Sequence, residues 1–361
     1  MLKRAQKIFE TQKANETKRI ATFGTVSPIM YADAFGSRLV MVGSAIYTLT
    51  MPSTFTNFIF YYGLLRLGDE WREAQNALSH EERHPLFILH SRANEYASRQ
   101  PIQPEGYVTA SPNGPMSFCE RFYYDLYTVD NNNELRNDLL NRLRHREQFQ
   151  GAAHELFVEA TCLRAGFNII REPFHIREPF HRARPKNVEF IASHKETHQR
   201  IAVEAKSRHR PGVMGRSGSP SSNPDTKFIR LINDAVAKDQ SNPLAVFVDT
   251  NLPPDSVEAF YRPTSLEPML PSARISDIAR DVRGKQEFDP YNVLVFTNHP
   301  QHYGDDEQGA SRDHWVPIIA SNPRVVIHHE KALKDLLTAL NVYGNIPTDF
   351  PKLLPGTNIP A

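Results

Sequence analysis

From Leu39 to Leu65 the chain carries no charged side chain, a length that would reach across a bilayer. Pro52 near its centre and the scattered Ser44, Thr48, Thr50, Ser53, Thr54, Thr56 and Asn57 argue for soluble elements instead. LVMVGSAIYTL reads as two strands about a Gly43-Ser44 turn. Ser53 or Thr54 then caps a helix with Phe55, Phe58, Ile59 and Tyr62 on one stripe. A polar N-terminal helix precedes this hairpin, and the helix after it is interrupted near Gly68. WREAQNALSHEERHP predicts a second helix ending before Pro85, and Tyr107 to Met116 reads as a turn-rich connector.

At Asn131 the pattern changes. NNNELRNDLLNRLRHREQF predicts one long helix, with Leu135, Leu139, Leu140 and Leu143 on its apolar stripe and Arg136, Arg142, Arg144 and Arg146 around the rest. After a break at Gly151, HELFVEATCLRAGF predicts a helix burying Leu156, Ala160, Leu163 and Phe167 and stopped by Gly166. Glu155 and Glu159 share one of its faces, and Glu159 is expected in solvent. Asn168 to Ile170 reads as a short strand, and the tandem hexapeptide REPFHI-REPFHR as a duplication in a loop or arm.

NVEFIAS and RIAVEAKS predict a β-hairpin. PGVMGRSGSPSSNPD is a flexible loop ending at Asp225, the predicted N-cap of TKFIRLINDAVAKDQ. LAVFVDT, NVLVFTN and VPIIAS are further strands, VVIHH is another candidate, KALKDLLTAL is a late helix, and the tail is proline-rich. This is an α/β or α+β order. It divides into a smaller mixed N-terminal domain (1–130), a main domain (131–345) and a tail (346–361). The N-terminal part has no ligand spacing or phosphate loop, so its expected work is structural or partner-binding, including contact with a second copy.

Apolar content of 40% and charged content of 23% are ordinary for a soluble globular protein. Cys119 and Cys162, far apart in apolar helical surroundings, exclude a disulfide framework and a cysteine-rich zinc site and suit a reducing compartment. The opening residues lack the apolar core of a signal peptide, so the expected location is cytoplasmic, with no membrane partner. Net charge is only +1, yet from Arg136 to Arg216 there are 16 Lys/Arg against 9 Asp/Glu. A basic segment of this kind suits a phosphodiester partner. Arg208, Arg210 and Arg216, just past the second hairpin strand, are the first candidates for phosphate contacts, with Arg184 and Lys186 before the hairpin; the plain alternative is a solvated loop.

The chemistry sits on that hairpin. Asn187 and Glu189 would share one face of its first strand, and Glu204 and Lys206 one face of its second. If the register brings those faces together, oxygen ligands and an ammonium converge. A hard cation such as Mg²⁺ or Mn²⁺ takes such ligands and completes its shell from water and substrate phosphate. Lys206 would orient the attacking water or steady developing charge. The plain alternative is a surface ion pair worth at most about 1 kcal/mol. His175, His181, His194, His198 and His209 crowd the same region without helical i, i+4 spacing, which gives zinc no ligand pattern. Neither a G-x-S-x-G elbow nor a P-loop is present, and Asp249 at the end of LAVFVDT is expected to cap a turn.

A helix with Glu, a strand with an acidic residue and E-x-K on the next strand resemble the core of the PD-(D/E)xK nuclease superfamily. HELFVEATCLRAGF, RPKNVEFIAS and IAVEAKS carry the resemblance, over about residues 154 to 207. It implies a restriction-endonuclease-like central mixed sheet flanked by helices, divalent-metal dependence, and cleavage of DNA or, less often, RNA in bacterial restriction, repair or defence. By position it implies Glu204 as a metal ligand, Lys206 as the catalytic lysine and Glu155 as the helix carboxylate. Where the family usually has Pro-Asp, this chain has Pro185, Lys186 and Asn187. Glu189 is expected to take the aspartate's place; the alternatives are weak coordination by Asn187, or a metal-free nucleic-acid-binding scaffold. The stretch RLVMVGSAIYTL with TFTNFIFYYGLLRLGDEWREA is also similar to a family of uncharacterised bacterial proteins, which implies no activity.

Overall fold

The computed structural model describes residues 2–51, 53–102, 111–171, 188–208, 210, 213–214, 228–238, 241–261, 273–303 and 312–351. Helix α1 (Leu2–Phe23) leads into an antiparallel meander of β1 (Met30–Ala34), β2 (Ser37–Val42) and β3 (Ala45–Thr50). The turn between β2 and β3 is the expected Gly43-Ser44 pair, with Val42 opposite Ala45. Gly43 has φ 56, and a Cβ there would lie 2.9 Å from Asn133 Oδ1, so both conformation and space call for glycine.

Helix α2 (Phe55–Leu67) is capped by Thr54, whose side chain accepts from the Asn57 N–H. Its predicted stripe Phe55, Phe58, Ile59 and Tyr62 is fully buried. Gly68, at φ 98, separates it from α3 (Asp69–Ala77). The second helix therefore ends at Ala77, well short of Pro85. Pro85 instead opens α4 (Pro85–Ser98), where its missing N–H costs nothing. Helix α5 (Gly114–Asn131) follows.

The long helix expected from Asn131 is a shorter one, α6 (Asn137–Arg144). The break lies at 145–148 and not at Gly151, because α7 (Phe149–Arg164) runs straight through that glycine. Gly166, at φ 83, ends α7 as expected. Strands β4 (Phe167–Ile170), β5 (Phe190–His194) and β6 (Arg200–Ser207) form an antiparallel run. Helix α8 (Phe228–Val236) crosses to β7 (Leu244–Asp249), which pairs parallel to β6. After α9 (Pro254–Tyr261) and α10 (Ala273–Arg283) comes β8 (Val293–Asn298), parallel to β7, and β9 (His314–Ile319) closes the sheet antiparallel. The chain returns through α11 (Glu330–Asn341). VVIHH is not a strand.

The six strands lie in sequence order, β4-β5-β6-β7-β8-β9. Val203, Ala245, Phe247 and Val295 face a core built with α2, α5, α7 and α11. The alternate residues Ala202, Val246, Val248 and Phe296 face a second core closed by α8 and α10. Burial on both faces explains why β7 and β8 read as unbroken apolar runs. The first core takes residues from Val40 to Phe350 and so crosses position 130 without interruption. Among the described residues no helix is long and apolar enough to cross a membrane.

Candidate active site

Glu204 and Lys206 share one face of β6, as alternation requires, and that face is not solvent. The Glu204 side chain has 0% exposure, and its Oε2 lies 2.9 Å from Lys206 Nζ. A second ammonium, Lys238 just past α8, binds Oε1, and the Glu189 backbone N–H donates to the same oxygen at 3.1 Å. The surface pair of the plain alternative is therefore excluded. A carboxylate so deep in the fold is tolerable only because two ammonium groups and a main-chain donor meet it.

Lys238 is the partner that sequence reasoning missed. Phe228, Ile232 and Ala235 form the buried stripe of α8, and Lys238 continues that stripe three residues on. A charged residue on an apolar stripe was the available signal.

Glu189 stands immediately before β5 and is not within it. The hairpin pairing begins at Phe190 opposite Val203, which leaves Glu189 beside the Glu204 end of β6. Burial first, and then the neighbouring Glu155 and Glu204 carboxylates, hold its carboxyl above the ordinary value, against the opposing pull of Lys238 and Lys206. Asn187, Arg184, Lys186 and Arg216 lie outside the described residues, as do Asp225 and most of the tandem hexapeptide.

The helix carboxylates are occupied by arginines. Glu155 is 4% exposed, binds Arg136, and binds Arg142 Nη1 through Oε2 at 2.7 Å. Glu159, expected in solvent, is 0% exposed and lies 2.8 Å from Arg171 Nη2 and 3.4 Å from Arg136 Nη2. Its burial follows from the position of α7, which is covered by α5, α6, α11 and the sheet on every side. Burial pushes the Glu159 carboxyl up to about 7, with Arg171 pulling the other way.

Two of the expected phosphate-binding arginines are inside the protein. Arg208 is 6% exposed, with its guanidinium 5.4 Å from the Phe228 ring centre. Arg210 is 2% exposed and donates to the Asn251 carbonyl at 3.1 Å and to Tyr303 Oη at 3.2 Å. The Arg208 N–H donates to the Asp249 carbonyl at 3.1 Å, which ties this residue, like Arg210, to the end of β7, so these side chains act as internal struts. Asp249 does cap the turn, accepting from the Asn251 N–H at 3.0 Å. His194 is buried and bonded to Thr197 and Asp335.

The site's described residues thus offer four carboxylates, from Glu155, Glu159, Glu189 and Glu204, among Arg136, Arg142, Arg171, Lys206 and Lys238. Among the described residues no set of three or more His, Cys, Asp or Glu is arranged to hold a metal. Glu189 and Glu204 make a pair joined by a main-chain hydrogen bond, and the repulsion that raises Glu189 is the repulsion a cation relieves. Two carboxylates do not make an all-protein cage, and both Glu204 oxygens face ammonium groups of the chain. No family model, curated protein or solved structure matches the chain.

Proposed function

We propose that this chain is a divalent-metal-dependent nuclease of the PD-(D/E)xK type, hydrolysing phosphodiester bonds in DNA in preference to RNA. The observation that carries the reading is the buried Glu204, bound by Lys206 of its own strand and by the main chain of Glu189. The element order supports it: a helix with Glu155, three antiparallel strands, a helix, then a parallel strand. That is the mixed sheet flanked by helices that the resemblance implies.

Glu204 and Glu189 would hold Mg²⁺ or Mn²⁺, which when bound supplies Lewis-acid polarisation of the phosphodiester and a more acidic water. Lys206 would orient a nucleophilic water or meet charge developing on phosphate; its support is the 2.9 Å approach of its ammonium to Glu204, which Lys238 meets as a second cation. Arg136, Arg142 and Arg171 neutralise the helix carboxylates, so Glu155 acts through the arginines that hold it and not as a free ligand.

The test is cleavage of supercoiled plasmid and of linear oligonucleotides with Mg²⁺ or Mn²⁺. Wild type is expected to cleave, EDTA to abolish cleavage, and Lys206→Ala and Glu204→Gln, each shown folded by circular dichroism, to be inactive. Equal cleavage by wild type and Lys206→Ala would refute the reading.

A second reading, a metal-free nucleic-acid-binding scaffold, is favoured by one observation. Both oxygens of Glu155 and both of Glu204 already carry protein cations. It predicts DNA binding that is unchanged by EDTA and accompanied by no cleavage.

A further inference from the structure

On the opposite side of β6 from Glu204, between α5, α7 and the ends of β7 and β8, lies a cavity of about 60 Å³. It is lined by three histidines, His154, His299 and His302. Each has one ring nitrogen fixed by an acceptor. His154 Nε2 faces the Phe247 carbonyl at 3.4 Å, His302 Nδ1 the His299 carbonyl at 3.1 Å, and His299 Nδ1 the Asp313 carboxylate at 2.9 Å. Carbonyl and carboxylate oxygens only accept, so those nitrogens carry protons, and in the neutral rings of His154 and His302 the other nitrogen is a bare acceptor. His154 Nδ1, His299 Nε2 and His302 Nε2 are buried without a hydrogen-bond partner among the described residues.

The same polarity recurs in Gln150, which is 4% exposed and donates its amide N–H to the Arg208 carbonyl at 2.7 Å, leaving Oε1 buried and unpartnered. Beside these acceptors the lining holds two further buried groups without a partner among the described residues: Asp125 Oδ1, whose carboxyl burial pushes up to about 8, and Arg121 Nη1, whose other amino group is tied to Asp313 at 2.9 Å. Burial holds His302 down to about 4 and keeps His154 below its ordinary value, consistent with bare rather than protonated rings. Unpaired buried acceptors are costly and call for a donor.

The walls are aromatic: Phe118 and Phe122 lie parallel at 6.3 Å, and Phe157 meets Tyr343 edge-on at 4.7 Å. The Asp249 carboxylate lines the cavity too, bonded only by the neutral donors Ser207 and the Asn251 N–H in the contacts resolved among the described residues. The histidines are not grouped to chelate an ion; they ring a space. We propose that this cavity is a binding site for a small protonated amine, whose several N–H groups supply the missing donors, whose charge is met by Asp249, and whose carbon body lies against the phenylalanine rings. At about 10–15 Å³ per water-sized centre, the space admits only a few heavy atoms.

Calorimetric titration of the full chain with methylammonium tests this, with tetramethylammonium as a cation lacking N–H donors and Zn²⁺ as a chelated ion. Methylammonium is expected to bind saturably, at least tenfold tighter than tetramethylammonium, and Gln150→Leu to weaken it at least fivefold. Where that variant does not fold, the ring ¹⁵N shifts of wild-type His154 and His302 serve instead, and are expected to move on methylammonium addition. Equal or absent binding of the two amines, unmoved ring shifts, or Zn²⁺ binding with methylammonium silent would each overturn the proposal.

Discussion

Lys206 Nζ stands 2.9 Å from Glu204 Oε2, two residues back along the same strand, and the glutamate is sealed from solvent. Removing the carboxylate strands Lys206 and Lys238 together, whereas removing Lys206 leaves Glu204 with Lys238 and the Glu189 N–H. Glu204→Ala is therefore expected to cost roughly 3–5 kcal/mol of stability, and Lys206→Met about 1.5–3 kcal/mol. The double variant should cost less than the two singles combined, because each single leaves a charge behind that the other removes. Urea unfolding of all four proteins checks this, and strict additivity would show that the two side chains are not coupled.

Glu189 gives the metal question a readout independent of catalysis. Its carboxyl is held above the ordinary value by burial and by Glu155 and Glu204. A carboxyl raised in the folded state contributes stability that is lost as pH rises from its unfolded value through its folded one. Glu189→Gln is accordingly expected to stabilise the metal-free protein at neutral pH. Mg²⁺ should raise the Tm of wild type, by an amount equivalent to about 2.7 kcal/mol at a hundred times its Kd, with EDTA reversing the rise. The Gln variant should lose most of that response. Thermal melts with and without Mg²⁺ decide it; an unchanged response in Glu189→Gln would place the ion elsewhere.

What was legible in the sequence follows from what local pattern encodes. Period-2 alternation in IAVEAKS placed Glu204 and Lys206 on one face, and the Gly43-Ser44 and Gly166 stops were read from backbone chemistry alone. Burial from a distant element was not legible. Glu159 looks like a solvated helix residue until α6 and Arg171 are folded onto it, and Arg208 and Arg210 look like a basic loop until the chain turns back over Asn251. Helix α5 carries Phe118, Phe122, Tyr123, Leu126 and Tyr127 in a nearly all-buried run, whose weak amphipathicity hides its period. The pairing of Lys238 with Glu204 spans 34 residues and depends on α8 crossing the sheet.

His90 is expected to make the fold acid-sensitive. It is 7% exposed, its Nδ1 lies 2.9 Å from Tyr123 Oη, and burial pushes its value down to about 4. The folded protein holds the ring neutral while the unfolded chain protonates it near 6.5. The stabilisation is thus complete above about 6.5 and is lost as pH falls from there towards 4, to the order of 3 kcal/mol for this residue. His90→Phe should flatten the slope of unfolding free energy against pH across that window. His84 and His302, also lowered by burial, keep part of the slope in the variant. An unchanged slope in His90→Phe would mean that His90 stays uncharged in both states or charged in both.

Gly63 supplies a test of the packing between α2 and α5 in which the sign decides. An alanine in place of glycine inside a helix ordinarily stabilises by about 1 kcal/mol. Here a Cβ would lie 2.0 Å from Tyr123 Cδ1 and 2.5 Å from its Cε1. Tyr123 cannot retreat easily, since it is fully buried, its ring meets Phe60 at 5.3 Å, and its hydroxyl is bonded to His90. The two helices would have to move apart or the ring leave its rotamer, at a cost of about 1–3 kcal/mol. Gly63→Ala is therefore expected to lower stability despite its better helix propensity, and Gly63→Ala combined with Tyr123→Leu to recover part of the loss. Chemical denaturation of the three variants measures it. A stabilised Gly63→Ala would show that the two helices do not meet as closely as the Gly63–Tyr123 contact requires.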